Sequence, residues 1–62
     1  MFCKNLKTFR IMNNFSQKEI ADKLNVSIPT IGHWETGYSE PKIAQILELA
    51  KIYSVTLDEL FE

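Results

Sequence analysis

The 62-residue sequence predicts an all-α domain built from five short helices. Apolar residues recur at spacings of three and four along most of the chain, which is the period of one helix face. Polar residues that start helices precede several of these stretches, and no stretch alternates in the manner of a β-strand. We expect a single domain over residues 1–62.

Composition excludes several classes of protein. The apolar share of 45% is that of a globular chain rather than a disordered one. No run of about 18 apolar residues predicts a membrane span, and the first residues do not resemble a secretory signal. Cys3 is the single cysteine, so no disulfide can form within the chain, and we expect a reducing, cytoplasmic compartment.

Charge is distributed unevenly along the chain. Residues 1–33 contain five Lys or Arg and two Asp or Glu, whereas residues 34–62 contain two and six. Such asymmetry is found where one surface meets an anionic partner, and it also arises as ordinary surface variation. Charge alone does not separate these two interpretations.

The first two helices are predicted from apolar spacing and from a capping signal. Leu6 and Phe9 fit one face of a helix over roughly residues 2–13. Ser16 and Glu19 form the S-x-x-E capping box, which predicts that a second helix starts here and runs to about residue 24. Asn25 follows it, and asparagine tolerates the left-handed conformation that ends helices.

A third helix is predicted over about residues 27–36. Ser27 is its expected N-cap, Pro29 falls in the first turn, where a missing N–H costs little, and Gly37 is the expected end.

The third helix has a buried and an outward face. At about 100° per residue, Trp34 lies on the same side as Ile31, so we expect this tryptophan in the core. Pro29, His33 and Thr36 lie on the opposite side and form an outward stripe.

Two further helices complete the prediction. Pro41 opens the fourth, whose apolar residues at helical spacing are Ile43, Ile46, Leu47, Ala50 and Tyr53. Thr56 and Glu59 form another capping box, which starts a short fifth helix. Its apolar residues are Leu57, Leu60 and Phe61, and we expect some of them in the core.

Three residues indicate how the second and third helices are joined. Ala21 is small enough for two helices to approach closely, Asn25 can make the turn, and Ile31 can lock the crossing angle. Each signal alone is weak. Together with the two serine caps they predict a helix-turn-helix.

Residues 16–37, SQKEIADKLNVSIPTIGHWETG, resemble the Cro/CI-type (Xre) helix-turn-helix family of phage and bacterial repressors. The resemblance continues through residues 40–61, EPKIAQILELAKIYSVTLDELF. It implies a compact five-helix bundle of the lambda-repressor-like DNA-binding type. It also implies a bacterial or phage-encoded transcriptional regulator, with repression the favoured direction. Such a protein docks its third helix in the major groove and forms a homodimer on a pseudo-palindromic site.

The resemblance also implies roles for individual residues. The expected DNA-binding residues are Gln17, Lys18, Ser27, Ile28, Pro29, Thr30, Gly32, His33, Thr36 and Tyr38. Arg10 and Glu35 match a pair of positions that often form a buried ion pair. The expected dimer contact comprises Tyr53, Leu57 and Phe61.

The sequence departs from the family pattern at the base-reading positions. Ile28, Pro29 and Gly32 stand where family members often have Gln, Ser or Asn. Apolar contact with thymine methyl groups and readout of DNA shape are the expected substitutes. Ser54 stands where glycine is common, as do Asn14 and Asn25.

Other functions fit the residues less well. The same fold can act as a protein-interaction module, such as an antitoxin or a partner-controlled regulator, and the apolar Ile28–Pro29 tip favours this alternative somewhat. A metal site needs about three or four ligands, and His33 and Cys3 are the only soft candidates. We expect no cofactor and no enzymatic activity, since no nucleophile, glycine-rich phosphate loop or carboxylate pair accompanies His33 and Glu35.

Overall fold

A computed structural model describes all residues 1–62 as five α-helices joined by short turns, with no strand. The predicted all-α fold of five helices is therefore confirmed. The helices are α1 (Phe2–Met12), α2 (Gln17–Leu24), α3 (Ile28–Thr36), α4 (Ile43–Tyr53) and α5 (Leu57–Phe61). α1 and α2 both pack against α3, and α5 packs against α1 and α4.

The predicted starts of α2 and α5 are confirmed by their capping bonds. At α2 the Ser16 hydroxyl accepts from the Glu19 N–H at 3.0 Å, and a Glu19 carboxylate oxygen accepts from the Ser16 N–H at 2.8 Å. Thr56 and Glu59 make the same reciprocal pair at α5, at 3.1 and 2.8 Å. These bonds satisfy backbone donors that a helix start otherwise leaves unpaired.

Three helices end at a residue in the left-handed conformation, which was the prediction for Asn25. Asn25 ends α2 with φ of 57°, Gly37 ends α3 with φ of 83°, and Ser54 ends α4 with φ of 56°. Asn14, in the turn after α1, also has a positive φ, of 60°. Each of these residues permits a short connection to the next helix.

The core draws at least one residue from every helix. Its members are Leu6, Ile20, Ala21, Ile31, Trp34, Leu49, Ala50, Tyr53 and Leu60. Trp34 is only 4% exposed, which confirms its predicted place in the core. Because Ile31 and Trp34 are both buried, α3 is held along its inner side and its orientation is set by the core.

The predicted face of α4 is partly wrong. Ile43 and Leu47 are 76% and 46% exposed, whereas Leu49, which the prediction omitted, is 1% exposed. α4 begins at Ile43, after its cap at Lys42, and Pro41 lies before the helix. Apolar residues occupy more than one side of this helix, so spacing alone allowed two faces. Packing against the other helices selected the one with Leu49.

Tyr53 is not available as a dimer contact, and this part of the prediction is corrected. Its side chain is 3% exposed within the core, and burial raises the pKa of its phenol well above the usual value. Leu60 is fully buried, whereas Leu57 and Phe61 are 42% and 57% exposed on α5. The Phe61 ring stacks on Phe2 at a centroid distance of 4.6 Å.

Asn5 supplies a link between α1 and α5 that the sequence did not indicate. Its side-chain amide donates to the Leu60 carbonyl at 2.8 Å.

None of the five helices combines the length and apolar character needed to cross a membrane.

Candidate functional site

The turn between α2 and α3 has the geometry of a helix-turn-helix. Asn25 adopts the left-handed conformation, and the Val26 N–H donates to the Ala21 carbonyl at 3.0 Å. Ala21 is 1% exposed, so its small side chain lies in the core. Ser27 then starts α3, its hydroxyl accepting from the Thr30 N–H at 3.3 Å. The turn and the cap together fix the direction of α3.

A buried ion pair joins α1 to α3. Arg10 Nε donates to Glu35 Oε2 at 2.7 Å, and Arg10 Nη2 donates to Glu35 Oε1 at 3.1 Å. The side chains are 11% and 3% exposed. Arg10 Nη1 donates to the Phe15 carbonyl at 2.9 Å, which ties the connection after α1 into the same group. Donating these hydrogen bonds to the Glu35 carboxylate raises the pKa of Arg10.

Gln17 extends this network to α2. Its side-chain Nε2 donates to Glu35 Oε1 at 3.1 Å, a contact that the sequence interpretation missed. The only available signal was that Gln17 and Glu35 occupy helices predicted to lie side by side. The expected phosphate contact of Gln17 remains a prediction, with one N–H of its amide already used within the protein.

The outward face of α3 is largely apolar at its start. Pro29, His33 and Thr36 are exposed, as the helical projection predicted. Ile28 is 44% exposed at the first position of the helix. Gly32 is half-buried, and a β-carbon built there would meet only the Gln17 amide nitrogen, at 3.7 Å.

The hydroxyl groups at the start and at the end of α3 are hydrogen-bonded within the protein. The hydroxyls of Ser27 and Thr30 lie 2.7 Å apart and share a hydrogen bond. The Thr36 hydroxyl donates to the His33 carbonyl at 3.3 Å. His33 is the only titratable side chain on the outward stripe.

The loop after α3 returns Tyr38 to the same surface. Its ring lies 4.7 Å from that of His33, tilted by 45°, and Tyr38 is 80% exposed. The Ser39 N–H donates to the His33 carbonyl at 3.3 Å, which holds the loop against the helix end. His33 and Tyr38, both predicted to contact DNA, are thus brought together.

The predicted contact Lys18 is paired within the protein. Its ammonium lies 3.0 Å from the Asp22 carboxylate, with side chains 71% and 68% exposed. Such exposed pairs contribute only about 0.2–1 kcal/mol, so a phosphate can replace the partner. Lys23 lies over the Phe15 ring at 5.4 Å. No three His, Cys, Asp or Glu side chains come together as metal ligands.

Comparison with known proteins gives a consistent result. A family model described as helix-turn-helix matches residues 6–60. The HTH-type transcriptional activator BcrR of Enterococcus faecalis is 36% identical over 59 residues, which are 95% of this chain and 29% of that protein. An uncharacterised HTH-type transcriptional regulator of Methanocaldococcus jannaschii is 34% identical, covering 90% of this chain and 85% of its own length.

A phage protein belongs to the same group of relatives. The cryptic phage CTXphi transcriptional repressor RstR of Vibrio cholerae is 32% identical over 97% of this chain. The chain spans 54% of RstR and, as noted, a smaller share of BcrR. The similarity therefore covers the region of the five helices described above.

Proposed function

The chain belongs to the helix-turn-helix family of the Cro/CI (Xre) type, and from this premise we propose that it is a sequence-specific DNA-binding transcriptional regulator. In this proposal α3 docks in the major groove. The single observation that carries it is the mounting of α3: its inner side is buried at Ile31 and Trp34, while Pro29, His33 and Thr36 face outward. A short helix presented in this way fits a major groove.

The rigidity of this mounting supports the proposal. Glu35 on α3 accepts hydrogen bonds from Arg10 on α1 and from Gln17 on α2. Three helices are thereby held at one carboxylate. A reading helix that is fixed before binding loses little conformational entropy when it meets its site.

Phosphate contacts would position the helix. The expected contacts on α2 are Gln17 and Lys18, near the positive end of the helix dipole. Tyr38, exposed beside His33, would add one on the other side of α3. Seven basic and eight acidic residues leave little net charge, so these few contacts carry most of the attraction.

We favour repression over activation, as the resemblance to phage and bacterial repressors implies. BcrR is named an activator and RstR a repressor. The direction depends on where the site lies relative to the promoter. A reporter gene placed downstream of the selected site would measure it.

The second candidate is a protein-interaction module that uses the same surface. The apolar pair Ile28 and Pro29 at the tip of α3 favours it, because apolar tips also bind polypeptides. The relatives reported above are named as transcriptional regulators, which favours DNA. Salt distinguishes the two: each phosphate neutralised by Lys or Arg contributes about −0.9 to the log–log slope, so binding to DNA weakens as salt rises, whereas an apolar protein contact gives a nearly flat response.

The experiment is selection of bound duplexes from a random library, followed by anisotropy titration at several salt concentrations. We expect a two-fold symmetric site whose binding is weakened in Pro29→Ala and in the double variant His33→Ala/Thr30→Ala. Thr30→Ala keeps the cap, because the bond to Ser27 comes from the backbone N–H. Thr8→Ala, which removes an exposed hydroxyl on α1, is the matched control. Enrichment of no sequence would reject the proposal and favour a protein partner.

A further inference from the structure

We propose that this protein reads its DNA site mainly through thymine C5-methyl groups contacted by Ile28 and Pro29. The inference rests on the proposed function, in which α3 enters the major groove. It deepens that function by naming the chemical class of the site: half-sites with thymines opposite the first turn of α3.

The first step is the lack of bidentate readers on α3. Specific readout of guanine by hydrogen bonds commonly uses Arg or Lys, and that of adenine uses Asn or Gln. Residues Ile28–Thr36 contain none of these four. Gln17 is the nearest amide, and its Nε2 donates to Glu35. His33 offers a single imidazole, so most base discrimination must come from other contacts.

The second step is the backbone at the start of α3. The first N–H groups of a helix are usually free to donate to DNA. Here Pro29 has no N–H, and the Thr30 N–H donates to the Ser27 carbonyl at 3.1 Å and to its hydroxyl. The first turn therefore offers few donors and presents mostly carbon atoms.

The third step is the apolar surface itself. Ile28 is 44% exposed at the first position of α3, and Pro29 beside it is also exposed. The C5-methyl group of thymine is the apolar feature that base pairs present in the major groove. Burying one methyl-sized group favours binding by about fourfold. One contact in each half-site of a dimer then amounts to about fifteenfold.

The test uses a series of selected duplexes. In each duplex, the thymine at one position of both half-sites is replaced by deoxyuridine. This change removes only the methyl group. We expect about fifteenfold weaker binding at one or two positions facing α3, measured by anisotropy at fixed salt. At a position where cytosine can replace thymine without abolishing binding, 5-methylcytosine should recover part of the affinity that cytosine loses relative to thymine.

The variant Ile28→Ala tests whether Ile28 makes the contact with the thymine methyl group. We expect this variant to lose most of its preference for thymine over uracil at one position. Leu47→Ala is the matched control, since Leu47 on α4 has nearly the same exposure, 46%, and should leave the preference unchanged. Ile28 is exposed, so its truncation should leave folding intact, which circular dichroism would verify.

The two proposals fail in distinguishable ways. If selection recovers a site and every deoxyuridine duplex binds as tightly as its thymine parent, the methyl inference is overturned and the DNA-binding function stands. An unchanged thymine preference in Ile28→Ala would also overturn it. If selection recovers no site, the DNA-binding function itself is rejected.

Discussion

The residue on which most of the site depends is Glu35. It is 8% exposed and accepts from Arg10 twice and from Gln17 once. A buried charge is tolerated when it is paired and fully hydrogen-bonded, and Glu35 meets both conditions. The same carboxylate orients α3 and holds one side of the Gln17 amide.

Removing Glu35 should be strongly destabilising. We expect Glu35→Ala to lower the free energy of unfolding by about 3–5 kcal/mol, because it leaves the Arg10 charge buried without a partner. Urea denaturation would measure this. The control is Glu48→Ala, whose exposed carboxylate lies 3.9 Å from Lys51. We expect it to change stability by less than about 0.5 kcal/mol. Equal effects of the two variants would contradict the role given to the buried pair.

Glu19 gives a pH-dependent contribution to stability. Its hydrogen bonds with the backbone and hydroxyl of Ser16 lower its pKa below the usual 4.5. A lowered pKa in the folded state means that the stabilisation is present above the unfolded-state pKa. It is lost as pH falls through the folded-state pKa.

We therefore expect the stability difference between the wild type and Glu19→Gln to shrink as pH falls below about 4.5. Urea denaturation across pH 2–7 would measure it. Glu40→Gln controls for the loss of one exposed charge, since Glu40 lies outside the helices. A stability difference between wild type and Glu19→Gln that grows towards low pH would contradict this prediction.

Helix ends determine how closely the elements of this small fold approach. Asn25 ends α2 with φ of 57°, and Ser54 ends α4 with φ of 56°. Asparagine adopts the left-handed region more readily than serine does. No hydrogen bond to the Ser54 hydroxyl offsets the strain at the end of α4.

Ser54→Gly should therefore stabilise the protein. Glycine removes the left-handed strain but adds freedom to the unfolded chain, so we expect a net gain of about 0.5–1 kcal/mol. This corresponds to a rise of about 2–8 °C in melting temperature. Asn25→Gly should raise the melting temperature by less, because asparagine already tolerates the left-handed conformation. Thermal denaturation would contradict this account if Asn25→Gly gave the larger gain.

The size of the whole molecule bears on how it would bind DNA. The principal extents are 26 × 22 × 20 Å. Successive major grooves on one side of B-DNA are about 34 Å apart, which is more than one protomer spans. A two-fold site therefore calls for two copies, and exposed Leu57 and Phe61 on α5 are the proposed contact.

We expect a concentration-dependent monomer–dimer equilibrium in sedimentation velocity. Leu57→Asp should weaken it at least tenfold, because it places a charge within an apolar contact. Leu47→Asp on α4 is the matched control, as the two leucines are 42% and 46% exposed. Loss of the dimer in Leu47→Asp alone would move the contact to α4. A wild type that stays monomeric to high concentration would reject the dimer.

Much of this protein was determined by its sequence alone, because the signals are local. Capping boxes at Ser16 and Thr56, and the left-handed residue Asn25, depend on atoms within a few positions of each other. They predict where α2 and α5 start and where α2 ends. The inward side of α3 was also readable, since Ile31 and Trp34 share one narrow apolar stripe.

Only the tertiary structure decided which surfaces meet. Helical spacing relates the residues of one helix to each other, and it does not specify which side a neighbouring helix will cover. That is why Leu49 rather than Leu47 fills the core, and why Tyr53 is buried. The hydrogen bond from Gln17 to Glu35 joins two residues that are 18 positions apart in sequence. Such a contact exists only once packing has brought their side chains together.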